Sequence, residues 1–210
     1  MSANAAMIGA VMMLSVRGLM AQLTTRINFK EGYDLQTKAG TRRLAEDIKA
    51  EPPRHGWVSL PCTRLTGLVN LAQTDEWEEA NFQKRQQRDL RRADEVVSAA
   101  EPILETGGDL SWEWPTTAKK GWSSKAISKL TRLAHKHNRR LYCCNFHGCA
   151  YGLTWRGHPV QKSWTVATTC REVWLALQQR CTGHTDHAHC RGQVAQASSY
   201  YPELMVKAVT

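Results

Sequence analysis

The stretch Gly107-Gly108-Asp109-Leu110-Ser111-Trp112-Glu113-Trp114-Pro115, read beside Trp57-Val58-Ser59-Leu60-Pro61-Cys62, decides the fold. Each is a short apolar run that stops at a proline, which has no amide hydrogen with which to continue a ladder. Runs too short for a helix and closed off by Gly or Pro read as buried strands, here Trp57 to Leu60 and Asp109 to Trp114. Between them lies the clearest helical period in the chain. Leu90, Ala93, Val97, Ala100 and Leu104 recur at three and four residues, Asp75 with Glu78 makes a capping box, and Pro102 kinks or shortens the end. Strand, helix, strand is the rhythm of a three-layer α/β fold with a mostly parallel, Rossmann-like sheet.

Outward from this unit, Thr41 caps a short helix that presents Leu44, Ala45 and Ile48 before Pro52-Pro53. The apolar run Ala5 to Val16 spans twelve residues, short of the roughly twenty that cross a bilayer. With no charged leader and no cleavage pattern, it reads as an apolar first helix or an unstructured extension. Downstream, Ala126, Ile127, Leu130, Leu133 and Ala134 form an inward stripe, and Leu141 to Phe146 a strand. Tyr151 to Trp155 and Ser163 to Ala167 read as a hairpin about Gly157-His158-Pro159, and Thr169 with Glu172 as a second capping box. Three regions follow: an extension over 1–30, an α/β core over 31–180, and a Cys/His-rich segment over 181–210.

Composition narrows the partners. The 28 Lys and Arg outnumber the 19 Asp and Glu, a formal charge of +9, which favours polyanions such as DNA, RNA or an anionic membrane surface; nucleic acid is the expected partner, and without a spanning run no membrane is expected. Seven cysteines, an odd count without regular spacing, argue for thiols or metal ligands in a reducing, intracellular compartment. Nothing in the sequence fixes an oligomeric state.

In open α/β sheets, sites form where strands end, so Cys62 and Glu113 are candidates for one crevice. The order Gly32-Tyr33-Asp34-Leu35, Pro61-Cys62, Glu113, Tyr151-Gly152-Leu153 resembles the motif order of cytosine-5 DNA methyltransferases. That resemblance implies a methyltransferase-type fold, with Cys62 as nucleophile and Glu113 steadying a flipped base. It places Asp34 beside S-adenosylmethionine, and Arg64 is the cation nearest in sequence for lowering the Cys62 pKa. Glu113 is followed by Trp114-Pro115 instead of Asn-Val, and no Gly-rich cofactor loop precedes Asp34. The resemblance therefore leaves two forms open: a core incomplete at its N-terminus and inactive, or a working S-adenosylmethionine-dependent DNA methyltransferase. Glu113-Trp114-Pro115, Gly148-Cys149-Ala150-Tyr151-Gly152-Leu153 and Cys181-Thr182-Gly183-His184-Thr185-Asp186-His187 together resemble methyltransferase-like proteins of protist mobile elements. Without any family, Cys62 reads as a small buried thiol and Glu113 as a hydrogen-bonded buried carboxylate.

Two other constellations carry chemistry. Cys181, His184, His187, His189 and Cys190 crowd a short polar stretch, with Cys143, Cys144, His147, Cys149 and Cys170 upstream. Thiolate and imidazole at this density suit tetrahedral zinc, which would order a segment with little apolar content; solvated histidines are the alternative. Lys84, Arg85, Arg88, Arg91 and Arg92 line one helix as candidate phosphate contacts, against the alternative of a solvated face. Trp77 and Trp122 are candidates for stacking on bases. The two functions that follow are a DNA-methyltransferase-like domain acting on or binding nucleic acid, and a non-catalytic nucleic-acid-binding module with a zinc-ordered C-terminal segment.

Overall fold

The computed structural model describes residues 10–17, 20–27, 33–35, 37–66, 76–183, 186–198 and 201–209. The chain folds as mixed α/β around one sheet. Its strands are β1 (Ala10–Arg17), β2 (Met20–Ile27), β3 (His55–Ser59), β4 (Asp109–Pro115), β5 (Tyr142–His147) and β8 (Ser163–Thr168), with a separate two-stranded ribbon of β6 (Thr154–Trp155) and β7 (His158–Pro159). The helices are α1 (Lys38–Ala50), α2 (Glu76–Ala99), α3 (Glu101–Glu105), α4 (Lys119–Trp122), α5 (Lys125–Lys136), α6 (Arg171–Ala176), α7 (Gly192–Ala197) and α8 (Glu203–Val209).

The main sheet runs β2-β1-β3-β4-β8-β5, and it is not mostly parallel. Only β3 and β4 pair in parallel; β1 with β2, β1 with β3, β4 with β8 and β5 with β8 are antiparallel. The physical reason lies in β8. Strands β3, β4 and β5 all point the same way, which is what an α/β rhythm encodes, but β8 returns between β4 and β5 and reverses both junctions.

Alternation along the strands assigns two cores to two faces. On one face Val58, Leu110, Trp112 and Trp114 pack under Leu44 and Ile48 of α1, Val96 and Val97 of α2, Ile103 and Leu104 of α3, and Leu130 of α5. On the other, Trp57, Cys144, Phe146, Trp164 and Val166 meet Tyr151, Val173, Leu177 and Met205. Both faces of the sheet are therefore covered.

Several local expectations change. The described part of Ala5 to Val16 is strand, because β1 finds partners on both sides in β2 and β3. The first helix is capped by Thr37, whose Oγ1 accepts the Gly40 amide at 3.1 Å, while Thr41 is buried inside it. The long helix breaks at Ala100 ahead of Pro102, giving α2 and α3; Asp75 lies outside the described residues. The turn at Arg156-Gly157, both with positive φ, joins only β6 to β7, and Ser163–Thr168 joins the main sheet instead. Thr169 does not cap a helix. It ties β4, accepting from the Leu110 amide at 3.0 Å and donating to Asp109 Oδ1 at 2.7 Å.

Candidate functional site

Because β3 and β4 are parallel neighbours with Ser59 opposite Glu113, the two proline-terminated strands end side by side. Glu113 points to the face covered by the C-terminal segment and is 3% exposed. Its Oε2 accepts the Ser59 hydroxyl at 2.6 Å and the Tyr201 hydroxyl at 2.5 Å. Trp57 Nε1 donates to the Tyr201 oxygen at 3.1 Å. The Tyr201 ring stands edge-on to Trp57 and Trp164, centroids 5.8 and 5.9 Å away. Burial raises the Glu113 carboxyl above the usual carboxylate range; the two hydroxyls and the Lys162 charge oppose it. Burial also lifts the Tyr201 phenol well above its ordinary value, with the Glu113 charge adding to it.

Cys62 begins the 3-10 turn Thr63–Leu65 and packs against the opposite, helix-covered core. Its thiol is pushed up to about 12, by burial first and then by the Glu113 charge, with Lys162 pulling the other way. Sulfur and carboxylate thus feel each other's field but point into different cores. Arg64 does not ease ionisation of the thiol. Its guanidinium clasps Asp89 with bonds of 2.6 and 3.0 Å, so its charge is committed to α2. Asp34 sits in the turn entering α1, its carbonyl accepting the Thr37 amide and hydroxyl at 2.9 and 2.8 Å.

A second group lies at the far end of β5. Cys149, in the 3-10 turn Gly148–Tyr151, meets Cys181 and His187, with their ligand atoms all within 4.8 Å of one another. Cys181 Sγ lies 3.3 Å from His187 Nε2, and the Cys181 amide donates to His147 Nδ1 at 3.0 Å. Burial, then the neighbouring Cys181, pushes the Cys149 thiol to about 11. The His147 imidazole is lowered by burial and by the charges of Arg180 and His187. Two thiols and an imidazole are a zinc-type donor set, and Zn–S bonds of about 2.3 Å would hold the sulfurs a little under 4 Å apart, so the group needs only slight contraction.

The group brought together differs from the one expected from local spacing. His189 is exposed, Cys190 packs in the second core with its Sγ 3.5 Å from Ser198 Oγ, and His184 lies outside the described residues. Cys149 takes the place assigned to Cys190 because the turn after β5 is folded back against the segment that begins at Cys181. All seven cysteines are free.

No protein-family model, curated protein or solved structure matches this chain.

On α2, Lys84, Arg85, Arg88 and Arg91 are exposed, whereas Arg92 pairs with Glu95. Neighbouring α5 adds exposed Lys125 and Arg132, while its Lys129 is held by Asp94 at 2.7 Å. Trp122 is not a free stacking platform. It packs edge-on to Trp114 and donates to the Pro115 carbonyl at 3.0 Å; the side chain of Trp77 lies outside the described residues. No helix among the described residues is long and apolar enough to cross a membrane. Sequence reasoning missed Tyr201, Lys162 and Ser59 as partners of Glu113. The only signal was Tyr200-Tyr201-Pro202 breaking an otherwise polar tail.

Proposed function

We propose that this chain is a non-catalytic nucleic-acid-binding module whose C-terminal segment is ordered by a zinc ion on Cys149, Cys181 and His187. The observation that carries the binding reading is the row of exposed cations on α2, Lys84, Arg85, Arg88 and Arg91, none of them in an ion pair among the described residues. Solvated like charges four residues apart repel, an arrangement that costs the free protein and is relieved by a polyanion. The observation behind the metal is the donor set itself. Zinc would hold the polar stretch from Cys181 to His187 against the turn after β5, supplying a cross-link that apolar packing there does not.

The test is oligonucleotide binding at several salt concentrations. The four cations support a slope of log affinity against log salt of roughly −3 to −4, and replacing Arg85, Arg88 and Arg91 by alanine lowers it by roughly 2 to 3. A slope unchanged in that variant would remove α2 as the interface. Elemental analysis of the purified chain is expected to give one equivalent of zinc, and a metal-free chain would remove the zinc reading.

Methyl transfer remains a second reading on one observation, the Cys62 and Glu113 groups at the same end of the parallel pair. A cysteine nucleophile must ionise, and the Cys62 thiol is moved away from ionisation as it stands. Calorimetry with S-adenosylmethionine decides it: no heat of binding removes the reading.

A further inference from the structure

Tyr201 is held like a guest. Its flat ring stands between Trp57 and Trp164, its hydroxyl donates to Glu113, and the same oxygen accepts from Trp57. Three residues before it, the Ser198 carbonyl takes the Lys162 ammonium at 2.7 Å, and that ammonium also lies 5.1 Å from the centre of the Trp164 ring. Everything the C-terminal segment offers here is an aromatic plane with an adjacent donor and acceptor, followed by an oxygen for a cation. A nucleotide offers the same three things. Each base carries an N–H beside an acceptor on one edge, and its phosphate supplies the oxygen.

We propose that Glu113, Ser59, Trp57, Trp164 and Lys162 form a seat for one unpaired nucleotide, which Tyr201 and the Ser198 carbonyl fill in the closed state. The base takes the place of the Tyr201 ring, edge-on to the two indoles, and donates to Glu113, and the phosphate takes Lys162. The seat is sequence-tolerant, because every base has a flat face and a donor beside an acceptor. Three features mark it as more than core packing. A carboxylate with no cation in direct contact is an expensive way to fill a core, both of its hydrogen-bond donors are hydroxyls, and the plug comes from a segment tied down by the separate cysteine and histidine group. The inference rests on the nucleic-acid reading and adds the preference for unpaired strands.

The test uses the 210-residue chain as purified and follows tryptophan fluorescence during titration with uridine 5′-monophosphate, with ribose 5-phosphate as the base-free control. A plug lowers apparent affinity by the fraction of time the seat is open, so Tyr201→Ala binds uridine monophosphate about tenfold or more tighter than the parent. Adding Glu113→Ala to that variant abolishes the gain, and ribose 5-phosphate shows none. Equal affinity in parent and Tyr201→Ala, or equal affinity for the two ligands, overturns the seat. Should Tyr201→Ala fail to melt cooperatively, the parent chain gives the answer through nitration with tetranitromethane and peptide mapping: saturating uridine monophosphate makes Tyr201 reactive, and unchanged reactivity overturns the seat. Failure here leaves salt-dependent binding through α2 intact. Failure of the α2 reading leaves the mononucleotide titration to be read alone.

Discussion

His55 and Glu113 sit on one face of the parallel strand pair and respond to pH in opposite senses. His55 Nε2 lies 2.8 Å from Ser111 Oγ, which meets Thr168 Oγ1 at 2.7 Å, a buried chain with room for a neutral imidazole. Burial lowers the His55 pKa from 6.5 to about 4, the Asp109 charge opposing. A depressed histidine favours the fold when neutral, so its contribution is complete above pH 6.5 and lost as pH falls toward 4. At 1.36 kcal/mol per pKa unit this amounts to about 3 kcal/mol. Urea unfolding between pH 7 and 4 therefore shows the parent losing about that much relative to His55→Gln, and parallel curves would refute it. Glu113 is the converse. Its raised pKa favours the protonated fold, so stability declines as pH climbs from 4.5 through the folded value. Glu113→Gln, which keeps an acceptor for Ser59 and Tyr201, gains on the parent over that rise. At this scale Cys62 and Glu113 were legible because proline stops marked their strand ends. Tyr201 and Lys162 were not, because their roles come only from contacts across the sheet.

The helices were the most legible elements. Ala126, Leu130 and Ala134 of α5 are buried as their spacing requires, and so are Ala93 and Val97 of α2. Strand directions were legible too, since β3, β4 and β5 share one direction; the place of β8 between two of them was not, because apolar alternation carries no partner information. The cysteine and histidine group that the described residues bring together differs from the local one for a related reason. Spacing within one segment pointed to Cys190, whereas a turn after a distant strand delivers Cys149. Packing between elements leaves a sharper mark at Gly121 in α4. A Cβ there would lie 2.7 Å from two ring carbons of Trp114 and 3.2 Å from Leu65. Trp114 is 1% exposed and wedged edge-on between Trp112 and Trp122, so it cannot yield. Gly121→Ala is expected to cost about 1 to 3 kcal/mol in chemical denaturation, even though alanine is the better helix former.

Taken as one molecule, the chain spans its second face with a segment attached at both ends. Near its start Cys181 and His187 meet Cys149; near its finish Lys162 holds Ser198 and Glu113 holds Tyr201. Of the described residues between Thr182 and Gln193 most are exposed, so burial contributes little and the end attachments decide whether the stretch stays down. Zinc in the proposed site, binding the folded state alone, would add stability by mass action, about 4 kcal/mol at a thousandfold excess over the dissociation constant. Chelation thus releases the segment before the sheet unfolds, and limited proteolysis of the chelated chain cuts between Cys181 and Ser198 while β3, β4, β5 and β8 stay protected. The cysteines separate the two ligand sets: Cys149→Ser loses the zinc and gains that cleavage, and Cys190→Ser keeps its metal. The reverse pattern would return the site to the local Cys181 to Cys190 stretch and detach it from the turn after β5.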